Sequence, residues 1–265
     1  MTKAFSSQQL RMYIGGGNTK LGPQVQTFSL PSGVTCPGKT ELCAYHCYMR
    51  NLEDFRNHLS ILAYHNLWAT KQPEFEQDMI DSLVSGLLRL HVGGDFYSPK
   101  YVRMWYNILS IRSDITMWTY TRSWNNKNRA TRRRFKRWIR KLNDLPNAQI
   151  ILSYDETMDH PHNRGFVDFR TAYMSTDDAT EDVEADIVLR TGLRKRIKVL
   201  FGDSPVCPTE NGLAKNGLMK KPTCSQCRWC FQDCHGIQPP MDIPALSRKF
   251  QHREGECKKN LITSK

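Results

Sequence analysis

The stretch Leu87–Trp124, "LLRLHVGGDFYSPKYVRMWYNILSIRSDITMWTYTRSW", decides the fold. It opens on an apolar run, LLRLHV, which Gly93 and Gly94 break, so it predicts a strand and then a tight loop. Ser98 stands at an N-cap position and Pro99 at the first helical position, so SPKYVRMWYNILSIRSD predicts a helix. ITMWTYTRSW is rich in β-branched and aromatic residues and predicts a second strand. Strand, helix and strand in succession are a βαβ unit, which joins parallel strands.

The same alternation extends outward in both directions. Upstream, TFSLP (27–31) predicts a short strand that enters a cysteine loop. NLEDFRNHLSILAYHNLWATKQ (51–72) predicts an amphipathic helix with Phe55, Leu59, Leu62, Ala63 and Asn66 on one stripe, and Pro73 opens another helix. Downstream, 128–146 predicts a helix that ends before Pro146. Strands are expected over 148–156, 170–178 and 194–204. The class that follows is α/β, with a partial (βα)5-6 parallel barrel. After about residue 205 periodicity fades into cysteine, proline, glycine and lysine. Two parts are therefore expected: 1–205 as an α/β partial-barrel domain with an N-terminal cysteine loop, and 206–265 as a C-terminal, loop-rich cysteine module. Parallel α/β folds bind ligands at the carboxyl ends of their strands. The residues expected there are Cys36–Cys47, then Gly93, Gly94 and Asp95, then Thr121, Arg122 and Ser123, then Ser153, Tyr154 and Asp155, then Ser175, Thr176 and Asp177.

The nine cysteines are clustered: three at 36–47, five at 207–234, and Cys257 alone. The N-terminus lacks a secretory apolar region and no stretch reaches the length of a membrane span, so a cytoplasmic location and no membrane partner are expected. A reducing compartment turns clustered cysteines away from disulfides and toward metal or catalysis. Cys224, Cys227, Cys230 and Cys234 follow C-x2-C-x2-C-x3-C, the spacing of the ferredoxin run that holds [4Fe-4S] clusters. Cys207 is a fifth candidate for the four places, and zinc is the alternative metal. Cys36, Cys43 and Cys47 follow C-x6-C-x3-C. Three thiolates leave one coordination position open to a small ligand. The alternative is a fourth protein ligand, such as His46 or a distant cysteine, that closes the site.

The blocks NTKLG, FSLPSGVTCPGKTELCAYHCY, HVGGDFYSP and YTRSW, with the closing C-x2-C-x2-C, resemble the phage gene-88 protein family from about Asn18 to Cys234. More distantly, a three-cysteine loop after the first strand that ends in Cys47-Tyr48 resembles the cluster loop of radical S-adenosylmethionine (SAM) enzymes. GGD after the second strand is similar to their Gly-Gly-Glu motif, with an aspartate for the glutamate, and the cysteine spacing is longer than their C-x3-C-x2-C. The resemblance implies a radical-SAM-like barrel. It implies that Gly93, Gly94 and Asp95 hold the methionine end of SAM, that Ser153 contacts its ribose, and that the second cysteine group carries an auxiliary cluster. A phage protein would act in the host cytoplasm.

Thirty-eight basic against twenty-six acidic residues leave a net charge of +12. The excess peaks in RATRRRFKRWIRK, where Phe135, Trp138, Ile139 and Leu142 form an apolar stripe and the cations face outward. Arg133, Arg137 and Arg140 are the expected nucleic-acid contacts, against the alternative of a solvated basic face. IGGGNTKLG lacks the G-K-[ST] of a phosphate loop and reads as a flexible turn. His160 and His162 read as exposed loop histidines. Two functions stand. One is an iron–sulfur, radical-SAM-like enzyme acting on nucleic acid or a nucleotide. The other is a non-catalytic protein that binds nucleic acid or a host protein and is stabilised by closed iron–sulfur or zinc sites.

Overall fold

The computed structural model describes residues 12–175, 183–190, 200–201, 204–205, 207, 209 and 222–231. Among them, six strands form one parallel sheet: β1 (Val25–Phe28), β2 (Gly86–Leu90), β3 (Ile115–Thr121), β4 (Ala148–Tyr154), β5 (Arg170–Ser175) and β6 (Ile187–Arg190). Their spatial order is their chain order. Register brings the carboxyl ends level, with Phe28 opposite Leu90, Thr121 opposite Leu152, Tyr154 opposite Tyr173 and Ser175 opposite Arg190. Right-handed crossovers in sequential order place the connecting helices on one face. Those helices are α1 (Glu41–Tyr45), α2 (Tyr48–Phe55), α3 (Asn57–Ala69), α4 (Phe75–Ser82), α5 (Pro99–Ile111) and α6 (Arg129–Asn143).

The main core lies between sheet and helices. Phe28, Leu88, Leu90, Met117, Ile150 and Leu152 meet Tyr101, Trp105 and Ile108 of α5 and Phe135, Ile139 and Leu142 of α6. Each large side chain buried there contributes about 1.5–3 kcal/mol. The α5 start is as the sequence predicts: Ser98 Oγ accepts from Tyr101 N at 3.2 Å and Pro99 follows. Asn128 caps α6 in the same way, accepting from Thr131 N at 2.9 Å.

The sheet's other face is covered by the C-terminal cysteine segment. Ile151, Ala172 and Ile187 pack on Cys207, Cys227 and Trp229, while Val25 and Trp118 pack on Phe231. A short α7 (Cys224–Cys227) carries this segment, and backbone bonds from Cys224 N to Lys20 O and from Ser225 N to Leu21 O fasten it. The described part of the predicted module thus forms a third layer on the sheet.

Several elements differ from expectation. The helix expected over 51–72 is two helices that break at Arg56, and Phe55 is 88 % exposed. Asn66 is buried for its amide, which accepts from Tyr13 N at 2.7 Å and donates to the carbonyls of Tyr13 and Ser29. The first strand is Val25–Phe28 and not 27–31; past it, Leu30 N bonds to Gly93 O. The sixth strand, Ile187–Arg190, was not expected, because its apolar run is too short to signal. Of the strand predicted at 194–204, β7 (Leu200–Phe201) pairs with β8 (Ser204–Pro205) antiparallel; residues 194–199 lie outside the described residues. The glycine-rich turn is closely packed: Gly15 pairs with Thr27 across the β1 edge and Asn18 Oδ1 accepts from Lys20 N and Leu21 N.

Candidate metal centres

The N-terminal cysteine loop is fixed to the carboxyl ends of the strands. Gly38 packs so tightly on β3 that a Cβ there would lie 1.8 Å from Arg122 O. Gly94 has φ +78°, and a Cβ would meet Thr35 Oγ1 at 2.6 Å and Leu30 O at 2.8 Å. The GGD turn is therefore pressed against the strand that feeds the loop. Thr40 caps α1: its Oγ1 accepts from Cys43 N at 3.0 Å and donates to Asp155 Oδ2 at 2.7 Å. Asp155 is wholly buried and also accepts from Arg122 and from Thr157 N at 3.0 Å. Burial works to raise the Asp155 carboxyl, but Arg122, Thr157 and Thr40 outweigh it and hold it below the usual range. Cys47 begins α2, whose Glu53 accepts from Ser32 Oγ at 2.6 Å, and Tyr48 OH donates to Val92 O at 2.8 Å.

These anchors hold Cys36, Cys43 and Cys47, each a half-buried free thiol, on one loop. Cys36 is pushed up to about 12 by burial, with the charges of Asp95, Cys43 and Cys47 adding to the rise. Burial raises Cys43 as well; Arg122 opposes the rise, while Cys47, Asp155 and Asp95 add to it. The thiols thus lie near two carboxylates, Asp95 and Asp155, of which Arg122 already pairs with Asp155. Asp95 is buried and accepts from Phe96 N at 2.7 Å and Thr121 Oγ1 at 2.6 Å on one oxygen, and from Arg122 N at 2.8 Å on the other. Burial pushes its carboxyl up to about 6 against these bonds and a further one from the Ser123 side chain.

The C-terminal group gathers on the opposite face of the sheet. Cys207 N bonds to Val188 O at 2.9 Å and its Sγ lies 3.1 Å from Thr209 Oγ1. Cys224 and Cys227 bracket α7, which Thr223 and Gln226 close with a reciprocal cap. Cys230 Sγ lies 2.8 Å from Tyr120 OH. Burial, then Cys230, pushes Cys224 up to about 11 and Cys227 up to about 12. Two arginines face this group: Arg89 lies 4.5 Å over the Tyr120 ring, and Arg170 lies 5.0 Å over the Trp229 ring and donates to Trp229 O. Sequence reasoning missed both. Their signal was a charge inside an otherwise buried strand. Cys234 and Cys257 lie outside the described residues. Among the described residues, no three His, Cys, Asp or Glu side chains converge tightly enough for a single metal ion.

The family model described as Gene product 88 matches residues 6–233. The chain belongs to the Gene product 88 family. Similar relatives are the Gene 88 proteins of Mycobacterium phages D29 and L5, each 33% identical over 123 residues, or 40% of this chain and 51% of the relative. The chain spans about half the length of these curated relatives. No solved structure matches. The matched span of this Gene product 88 chain encloses both cysteine groups through Cys230 and stops before Cys234.

Beside the N-terminal loop of the Gene product 88 chain lies a cleft of about 430 Å³ lined by Pro37–Glu41, Ala44, Asn125, Lys127 and Thr157. It opens between the cysteine loop and the segment after β3, so α/β topology places it where ligands bind. Ser153 lies at the carboxyl end of β4, on the face away from the helices, and its carbonyl accepts from Trp124 Nε1 at 3.1 Å. Arg133 and Arg137 are exposed on α6. Arg140 turns inward instead, donating to Gly165 O at 2.6 Å beside Phe166. His160 is half-buried, with Nε2 3.0 Å from Glu184 O and its ring 4.4 Å from that of His162, so this pair is less exposed than its loop sequence suggests. Among the described residues, no helix is long and apolar enough to cross a membrane.

Proposed function

We propose that this Gene product 88 protein is an iron–sulfur enzyme of radical-SAM-like type that acts on nucleic acid in the host cytoplasm. One observation carries the reading: the loop that holds Cys36, Cys43 and Cys47 is fastened to the carboxyl ends of a parallel sheet beside Asp95, through Gly38 on the Arg122 carbonyl, Thr40 on Asp155 and Asp95 N on Thr35 Oγ1. Soft thiolates at that rim suit a [4Fe-4S] cluster. Three of them leave a position for the amino-acid end of SAM, and a parallel sheet in sequential strand order supports the partial-barrel reading. When bound and reduced, such a cluster supplies the electron that cleaves SAM.

The chain's own residues have assignable tasks. Asp95 is the carboxylate for the ammonium of the methionine end, a charge-assisted bond worth about 1.5–3 kcal/mol. Gly93 and Gly94 let the backbone turn close to it, and Ser153 reaches the ribose. Arg122, Asp155 and Thr40 hold the loop that carries Cys43. The cleft beside that loop receives the substrate, and Arg133 and Arg137 attract its phosphates. On the other face, a second cluster would take four of Cys207, Cys224, Cys227, Cys230 and Cys234, with Arg89 and Arg170 beside the described ones to offset its negative charge.

Anaerobic purification should yield a brown, oxygen-sensitive protein with iron and acid-labile sulfide. Adding SAM to the reduced protein should change its electron paramagnetic resonance signal, and Asp95→Asn should weaken that response while iron content stays. Zinc without labile sulfide, or a signal indifferent to SAM, would instead support a non-catalytic binding protein with closed metal sites.

A further inference from the structure

Helices α5 and α6 pack side by side and leave a cleft of about 230 Å³ between them, lined by Pro99, Lys100, Arg103, Arg134 and Trp138. Lys100 and Arg103 stand three apart on α5, and Arg134 and Trp138 four apart on α6, so each pair shares a helix face. Neither helix carries a carboxylate: two cations stand on α5 and eight on α6. Lys100, Arg103 and Arg134 are exposed and have no acidic partner among the described residues. Lys141 and Arg137 lie over the Trp138 ring, at 5.1 and 5.8 Å, and carry the positive charge onward along α6.

Three cations around one cavity, with no anion to balance them, attract an anion that several donors can share. Two guanidinium forks suit a phosphate's tetrahedral oxygens. The cavity is smaller than the roughly 300–1,000 Å³ of ordinary small-molecule sites, which fits a phosphate and part of its sugar and not a whole nucleotide. Continuity with exposed Arg133 and Arg137 calls for a ligand that repeats its charge. The first turn of α5 directly follows the GGD loop, so the cleft opens at the end of the fold that carries Cys36–Cys47.

We propose that this cleft seats a phosphate of a polynucleotide backbone and so directs the strand toward the cysteine loop. The proposal rests on the reading that the substrate is nucleic acid, and it adds Lys100 and Arg103 to the basic helix that the sequence suggested.

The test is fluorescence anisotropy of labelled single-stranded and duplex oligonucleotides with the full chain, from about 50 to about 200 mM salt. Arg103→Ala/Arg134→Ala should weaken binding about tenfold and reduce the slope of log affinity against log salt by about 1.4 on a single strand, at about 0.7 per lost contact. Arg103→Lys/Arg134→Lys should keep the slope. Lys100→Ala, at an exposed site, should give about half the slope change if the double variant folds poorly. Wild-type binding by the double alanine variant, with binding lost in Arg133→Glu/Arg137→Glu, overturns the cleft and leaves the nucleic-acid reading standing. No binding by the unmodified chain at the lowest salt overturns both.

Discussion

Gly38 occupies a place where no side chain fits. Its contact with the Arg122 carbonyl sets how closely the cysteine loop approaches β3. Gly38→Ala must move backbone, so it should cost about 1–3 kcal/mol. Denaturant titration measures that cost, and on the iron–sulfur proposal the iron content should fall with it. His91 makes a second residue-scale prediction. It is buried at φ +58°, with Nε2 3.2 Å from Tyr101 OH and Nδ1 without a partner. Burial, with Arg89 adding, holds its imidazole well below its ordinary range, so the folded chain keeps it neutral. The unfolded chain takes up a proton below about pH 6.5, so this stability is fully present above that pH and is lost as pH falls. Between about pH 6.5 and 5.5 the loss should be about 1 kcal/mol. In His91→Asn, which tolerates positive φ, that part of the pH dependence should vanish from denaturant titrations. The motif around His91 was legible in sequence, whereas its burial was not, since burial depends on what α5 lays over it.

At the scale of elements, the short α1 depends on its cap. Thr40→Val removes the bond to Cys43 N and the one to Asp155, and should cost about 1–2 kcal/mol. The fall in Tm should come with a changed cluster signal, because α1 positions Cys43. The C-terminal segment depends on Trp229, which is buried on the sheet and donates from Nε1 to Asp186 O at 2.9 Å. Trp229→Ala should cost about 3–5 kcal/mol and expose Cys224 and Cys227 to thiol reagents. The caps of α5 and α6 could be read directly, because Ser98, Pro99 and Asn128 act on their own neighbours. The break at Arg56 could not, because the apolar stripe continues across it and only the packing of α3 under Tyr13 shows which residues turn inward.

Across the whole molecule, the two cysteine groups lie on separate parts of the sheet, so the iron–sulfur proposal requires two separable centres. Cys43→Ser should lose about half the iron and keep the C-terminal centre, and Cys227→Ser should do the reverse with a larger loss of solubility, since metal binding contributes to folding free energy. Metal analysis of the two variants checks both outcomes; equal loss in each would mean that the groups share one centre.

The sequence by itself determined the alternation of strands and helices, the parallel sheet, the rim that carries Cys36–Cys47 and Gly93–Asp95, and the family. Each of these follows from local signals: period, caps, glycines and thiol spacing. Tertiary structure alone decided that Cys207 packs with Cys227 and Cys230, that Arg89 and Arg170 lie beside them, that Arg122 and Asp155 pair beneath Thr40, and that α5 and α6 enclose a basic cleft. Those pairings join residues far apart in the chain through strand register and packing against the sheet's two faces, and no local pattern encodes a partner at that distance.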